Sequence, residues 1–198
     1  MNDGKLIELG KVIEAQYGNI AGLIINKDHQ NVYEHYFNDF NENNTVHVAS
    51  VTKSILSVLV GIAIAQGKID SVDQKVLDFF PDYKVKRRET TLQTITIKHL
   101  LTMTAPYKYK YEPYTKVYSS EDWTQSVLDL LGGKGEIGVF KYTTVGIHVL
   151  SGIIANATGQ TVLDFATKNL FGPLGINPPE NVRIHNKEEH FAFLKNKY

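Results

Sequence analysis

Apolar residues recur at helical spacing near the start of the chain, where Leu6, Ile7, Leu9, Val12 and Ile13 precede a stop at Gly18. The continuous run from Ile20 to Ile25 then predicts a buried strand. Residues 26–30 form a turn, and Val32 to Phe37 predicts a second strand, so the pair reads as a hairpin. A polar loop with four asparagines, 38–44, leads to the longest apolar run, Ile55 to Ala65, which ends at Gln66-Gly67. That run is shorter than the roughly 20 residues needed to cross a bilayer. It predicts a core helix beginning near Ser50, apolar all round and therefore buried.

The second half of the chain predicts a succession of helices. An extended link over 68–73 is followed by a helical turn or two over 74–80, stopped by Pro81, and by an exposed charged loop, 84–90. Thr96 is positioned to cap a short helix through Met103. Residues 105–118 read as a loop rich in Tyr and Lys, and Ser119 to Asp122 offer a cap for a helix from Trp123 to Leu131. Further helices are expected over 143–157, closed by Gly159, and over 161–171, stopped at Gly172-Pro173, with an irregular tail from 177. Two strands against six or seven helices give an α+β chain whose lone hairpin is marginal by itself.

Charge and composition narrow the function. Lys plus Arg and Asp plus Glu both number 21, so the net charge is zero and the basic footprint of a nucleic-acid binder is missing. There is no cysteine, which excludes disulfides, a thiolate nucleophile and a Cys-based zinc site. The polar opening Met1 to Lys5 is no signal peptide, so the expectation is a cytoplasmic protein or one whose leader has been removed. Gly133 to Gly138 matches Gly-x-Gly-x-x-Gly but follows a helix, the wrong context for a nucleotide. His185 to His190 is one residue too long for an inverted zinc motif. No metal and no cofactor are expected.

The candidate chemistry lies at the start of the core helix. Ser50 and Lys53, at i and i+3, share one face of its first turn, where free amides and the helix dipole point outward. A serine beside a lysine in that setting is a nucleophile with its own base.

Ala49-Ser50-Val51-Thr52-Lys53 resembles the active-site motif of the class C β-lactamase and D-alanyl-D-alanine peptidase superfamily of serine hydrolases. Further stretches are similar in the same order: Gly67 to Asp70 with Leu77 to Pro81, Thr96 to Thr104, Phe140-Lys141-Tyr142-Thr143-Thr144, Ser151 to Ile154 with Ala157 to Gly159, and Leu170 to Ile176. The resemblance implies a β-lactamase/DD-peptidase-like domain over 1–198. Its α/β region would be 1–45, a helical region with the site motifs 46–176, and the tail 177–198. It implies an acyl-enzyme on Ser50, with Lys53, in a dry site, and Tyr142 as a joint acid/base pair and the Ser50 amide as one oxyanion donor.

Two departures shape that expectation. Thr144 stands where the family has Asn, in a substrate-contacting position; its shorter hydroxyl favours an esterase-like or peptidase-like activity over β-lactam hydrolysis. After Ile176 no Lys- or His-led triplet ending in Gly is found, so the chain is expected to be the N-terminal portion of such an enzyme. The substrates implied are β-lactams, D-Ala peptides or esters. The alternative is a catalytically inactive penicillin-recognising or partner-binding relative. Relatives are often exported. The partners expected are a small-molecule or peptide substrate and, through the unpaired hairpin edge, a second copy of the chain.

Overall fold

The computed structural model describes residues 3–46 and 48–178, together with the backbone of Val182–Arg183 and Ala192–Phe193. His47 and the 185–190 histidine motif lie outside the described residues. The chain divides into two compact units, 1–47 and 48–198.

In the first unit, helix α1 (Asp3–Gln16) buries Leu6, Gly10 and Ile13, one narrow stripe at helical spacing. Gly10 lets the Tyr33 hydroxyl approach closely: a Cβ there would stand 2.8 Å from it, and the tyrosine would have to shift. Strands β1 (Gly22–Lys27) and β2 (Gln30–Tyr36) pair antiparallel, from Gly22 opposite Tyr36 to Lys27 opposite Gln30. Asp28 and His29 both take positive φ in the connecting turn, the geometry that matches strand twist. Among the described residues these two strands pair only with each other.

The second unit is built on helix α2 (Thr52–Ala65) and carries the main core. Leu56, Leu59, Val60 and Ala63 of α2 pack with Ile69, Leu92, Ile95, Trp123, Leu128, Leu150 and Phe165, all essentially without solvent contact. Helices α3 (Ile97–Leu101), α4 (Tyr114–Tyr118), α5 (Trp123–Leu128), α6 (Ile147–Thr158) and α7 (Val162–Ala166) enclose it, and α7 continues as a wider π-type turn to Phe171. Asp122 caps α5 by accepting the Gln125 N–H at 2.7 Å. Two-residue strands β3 (Val182–Arg183) and β4 (Ala192–Phe193) pair within the tail. No helix among the described residues is long and apolar enough to cross a membrane.

Several expectations need correction. Ser50 is not on the first turn of α2 but in a 3₁₀ turn, Ala49–Val51, that precedes it. Helix α2 is not buried all round: Ser54, Ser57, Val58, Gly61 and Ala65 lie on an exposed face. Its apolar composition hides an alternation of large and small residues, so that one face carries the burial and the other little side-chain area. The expected loop 105–118 contains α4, preceded by Pro113. The helix expected from Thr143 begins only at Ile147, because residues 143–145 are drawn to a side chain from the preceding loop.

Candidate active site

Ser50, Lys53 and Tyr142 come together, all within the second unit. The Ser50 Oγ lies 2.7 Å from the Tyr142 hydroxyl, 92 residues away in sequence. The Lys53 Nζ donates to the same Oγ at 2.9 Å and stands 5.4 Å from the centroid of the Tyr142 ring. Ala49, just before the serine, has φ 44°, a left-handed conformation that turns the chain into the 3₁₀ turn. Spacing i, i+3 survives this turn, which is why serine and lysine still meet.

The tyrosine arrives on an extended strip. Gly138 N–H donates to the Thr104 carbonyl at 3.0 Å and Lys141 N–H to the Met103 carbonyl at 2.8 Å. The glycine-rich stretch 133–138 leads into this strip, whose bonds hold it alongside the end of α3. Burial alternates over residues 140–143. Lys141 donates to the Tyr109 carbonyl and covers the Tyr109 ring at 4.3 Å, and Thr143 is buried. Phe140 and Tyr142, between and beside them, are 67% and 51% exposed.

The electrostatics favour a reactive phenol. The hydrogen bond from Ser50 lowers the Tyr142 pKa from 10, and the bond and charge of Lys53 add to it against a partial desolvation that raises it. Thr144 stands close to the cluster, where its side chain acts to lower the Tyr142 pKa further. The site is open rather than dry: Ser50 and Tyr142 are exposed and Lys53 is half-buried. Among the described residues, no group of three or more His, Cys, Asp or Glu side chains could hold a metal. A cavity of about 570 Å³ lined by Asp78, Phe80, Tyr83, Asp122 and Asn156 includes none of the clustered residues.

Glu112 is the residue that sequence reasoning missed. Its Oε1 accepts from the Thr143 hydroxyl and the Thr144 N–H, both at 2.5 Å, and from the Val145 N–H at 3.2 Å. Burial works to raise its pKa, but the bonds from Thr143, Tyr114 and the two backbone N–H groups outweigh it and hold the carboxyl below the usual value. One signal was available, since Glu112 is the sole carboxylate between residues 90 and 120. The tyrosine-rich stretch around it is mainly packing. Tyr107 is buried, and Tyr118 stacks with Tyr114 and meets Trp123 and His148 edge-on.

The fold and the sequence define the class. The chain matches the Beta-lactamase family over residues 12–183 and belongs to that family. No curated protein matches it in sequence. Among solved structures, it is similar to a candidate beta-lactamase from Bacteroides dorei DSM 17855, with 18% identity, a TM-score of 0.71, and coverage of 88% of this chain and 52% of that one. It also resembles an octameric penicillin-binding protein homologue from Pyrococcus abyssi, with 22% identity, TM-score 0.66, and coverage of 89% and 44%. A third is a candidate 6-aminohexanoate-dimer hydrolase from Bacillus anthracis, with 20% identity, TM-score 0.57, and coverage of 77% and 43%. The chain therefore spans about half, or less, of the length of these structures. Its α+β, β-lactamase-like fold is shared with them.

Proposed function

We propose that Ser50 is the nucleophile of an acyl-transfer site, with Tyr142 and Lys53 as its acid/base pair. The observation that carries this is the contact of one serine oxygen with both the Lys53 ammonium and the Tyr142 hydroxyl, at 2.9 and 2.7 Å. With the ammonium donating to Oγ, the serine proton is directed at the tyrosine oxygen, whose depressed pKa suits it to accept. Oγ then attacks the substrate carbonyl, and the proton held on Tyr142 passes to the leaving group. Water releases the acyl group in a second, similar step. The Ser50 amide, in the turn before α2, is the proposed oxyanion donor. The substrates are β-lactams, D-Ala peptides or esters, and Thr144, whose hydroxyl is shorter and makes fewer hydrogen bonds than an Asn side chain, favours the last two.

A fluorophosphonate probe and a fluorescent penicillin test the reading, with the adduct mapped by peptide mass spectrometry. A label on Ser50 that is lost in Ser50→Ala is expected. If no acylating probe marks Ser50, the catalytic reading fails. Non-covalent binding of the penicillin, with no gain in mass, would point instead to a recognition module.

A further inference from the structure

Tyr142 is held from both sides by a single short stretch, 109–112. On one side, Lys141 donates to the Tyr109 carbonyl and lies over its ring. On the other, Thr143 donates its only hydroxyl proton to Glu112. The lone pairs of that hydroxyl are then left to accept, from the Tyr109 hydroxyl at 2.8 Å and from the Gly146 N–H at 3.1 Å. Glu112 takes the next two N–H groups in line, those of Thr144 and Val145.

Thr144 and Val145 precede Gly146, the N-cap of α6, so their N–H groups lie outside the helix and are satisfied by the carboxylate. The residues so held, 143–145, are the three that directly follow Tyr142.

We propose that Glu112 is a positioning residue for Tyr142, fixing residues 143–145 so that the phenol oxygen is held against Ser50. The inference rests on the acyl-transfer reading for its consequence in rate, though not for its geometry. A displacement of about 1 Å at a reacting group costs on the order of 100-fold.

The test uses Glu112→Gln and Glu112→Asp, with folding checked by circular dichroism. Two readouts are taken: the rate at which a fluorophosphonate labels Ser50, and the titration of Tyr142 followed by NMR of ¹³C-labelled tyrosine, assigned with Tyr142→Phe. E112Q should label roughly 10- to 100-fold more slowly. Its Tyr142 should titrate at higher pH, towards 10, because the phenol loses the close approach of Ser50 and Lys53. The sign is informative. Removing the negative charge of Glu112 by itself would shift that titration down, and only loss of position shifts it up. E112D should recover part of both effects.

A folded E112Q whose Tyr142 titrates as in the wild type, or lower, overturns the proposal. Should E112Q fail to fold, Thr143→Val, which removes the Thr143 bond to Glu112 together with those to Tyr109 and Gly146, is read in the same way. If wild-type Ser50 takes no label, the acyl-transfer reading fails, and the Tyr142 titration still decides the role of Glu112.

Discussion

Glu89→Ala should cost the second unit about 3 kcal/mol. The Glu89 side chain is only 10% exposed and ties three segments together. It pairs with the Lys108 Nζ at 2.9 Å, and it accepts from the Gly133 N–H at 3.1 and 3.2 Å and from the Leu92 N–H at 3.3 Å. Removing one partner of a buried ion pair costs roughly 3–5 kcal/mol, because the other charge and the donors are stranded. The lower end applies here, since the Lys108 side chain is 28% exposed and regains water. For a chain of 198 residues this corresponds to a fall in Tm of roughly 6–12 °C.

Urea titration followed by the fluorescence of Trp123, the single tryptophan and 2% exposed, measures it directly. The pH dependence is a second check. Burial acts to raise the Glu89 carboxyl, but Lys108 and the N–H groups of Gly133 and Leu92 outweigh it, so the folded value lies below 4.5. A depressed carboxylate contributes stability above its unfolded value and loses it as pH falls through the folded one. The wild type should therefore lose, below about pH 4.5, a contribution that Glu89→Gln never had. A loss under 1 kcal/mol in Glu89→Ala, or the same acid profile in both proteins, would refute the reasoning.

Tyr142→Phe should slow acylation of Ser50 by roughly 10²–10⁴-fold, the range for a lost general base. Because the Tyr142 pKa is lowered from 10, wild-type labelling should rise with pH through a midpoint below 10, a rise that Y142F lacks. Gly152→Ala should cost about 1–3 kcal/mol by urea titration. Its Cβ would stand 2.7 Å from Thr124 Cγ2 and 3.1 Å from Phe80 Cζ, where α6 packs against α5. Self-association through the hairpin edge should appear as concentration-dependent sedimentation and weaken in Ile24→Lys, a charge placed on an exposed residue of β1. A monodisperse monomer at all concentrations would count against it.

The encounter of Ser50, Lys53 and Tyr142 was legible in the sequence because two of the three are neighbours on one turn and the third sits in a recognisable Phe-Lys-Tyr-Thr-Thr stretch. The pairing of the hairpin was legible from its apolar runs, though its first strand, expected to be buried, leaves Ile24 58% exposed, and the N-terminus of α5 was legible from the cap at Asp122. Other features depend on contacts that no local pattern records. Residues 143–146 have helical periodicity, yet a carboxylate 31 residues upstream captures Thr143 and the following N–H groups. Helix α2 was misjudged because Ser57, Gly61 and Ala65 dilute its apolar run without breaking it. The short helix α4 was hidden by residues whose tyrosines suggested a loop, though Tyr114 and Tyr118 stack at i, i+4.

The alternation along the strip 140–143 separates two tasks that a site must perform. Lys141 and Thr143 face inward and are committed to their partners, while Phe140 and Tyr142 face outward. Position 140 can thus be exchanged without disturbing either anchor, so a lineage carrying this strip is free to change what the serine's surroundings present to a substrate while keeping the tyrosine in place. Divergence of specificity would then be expected to concentrate on position 140, with Lys141 and Thr143 changing only together with Tyr109 and Glu112.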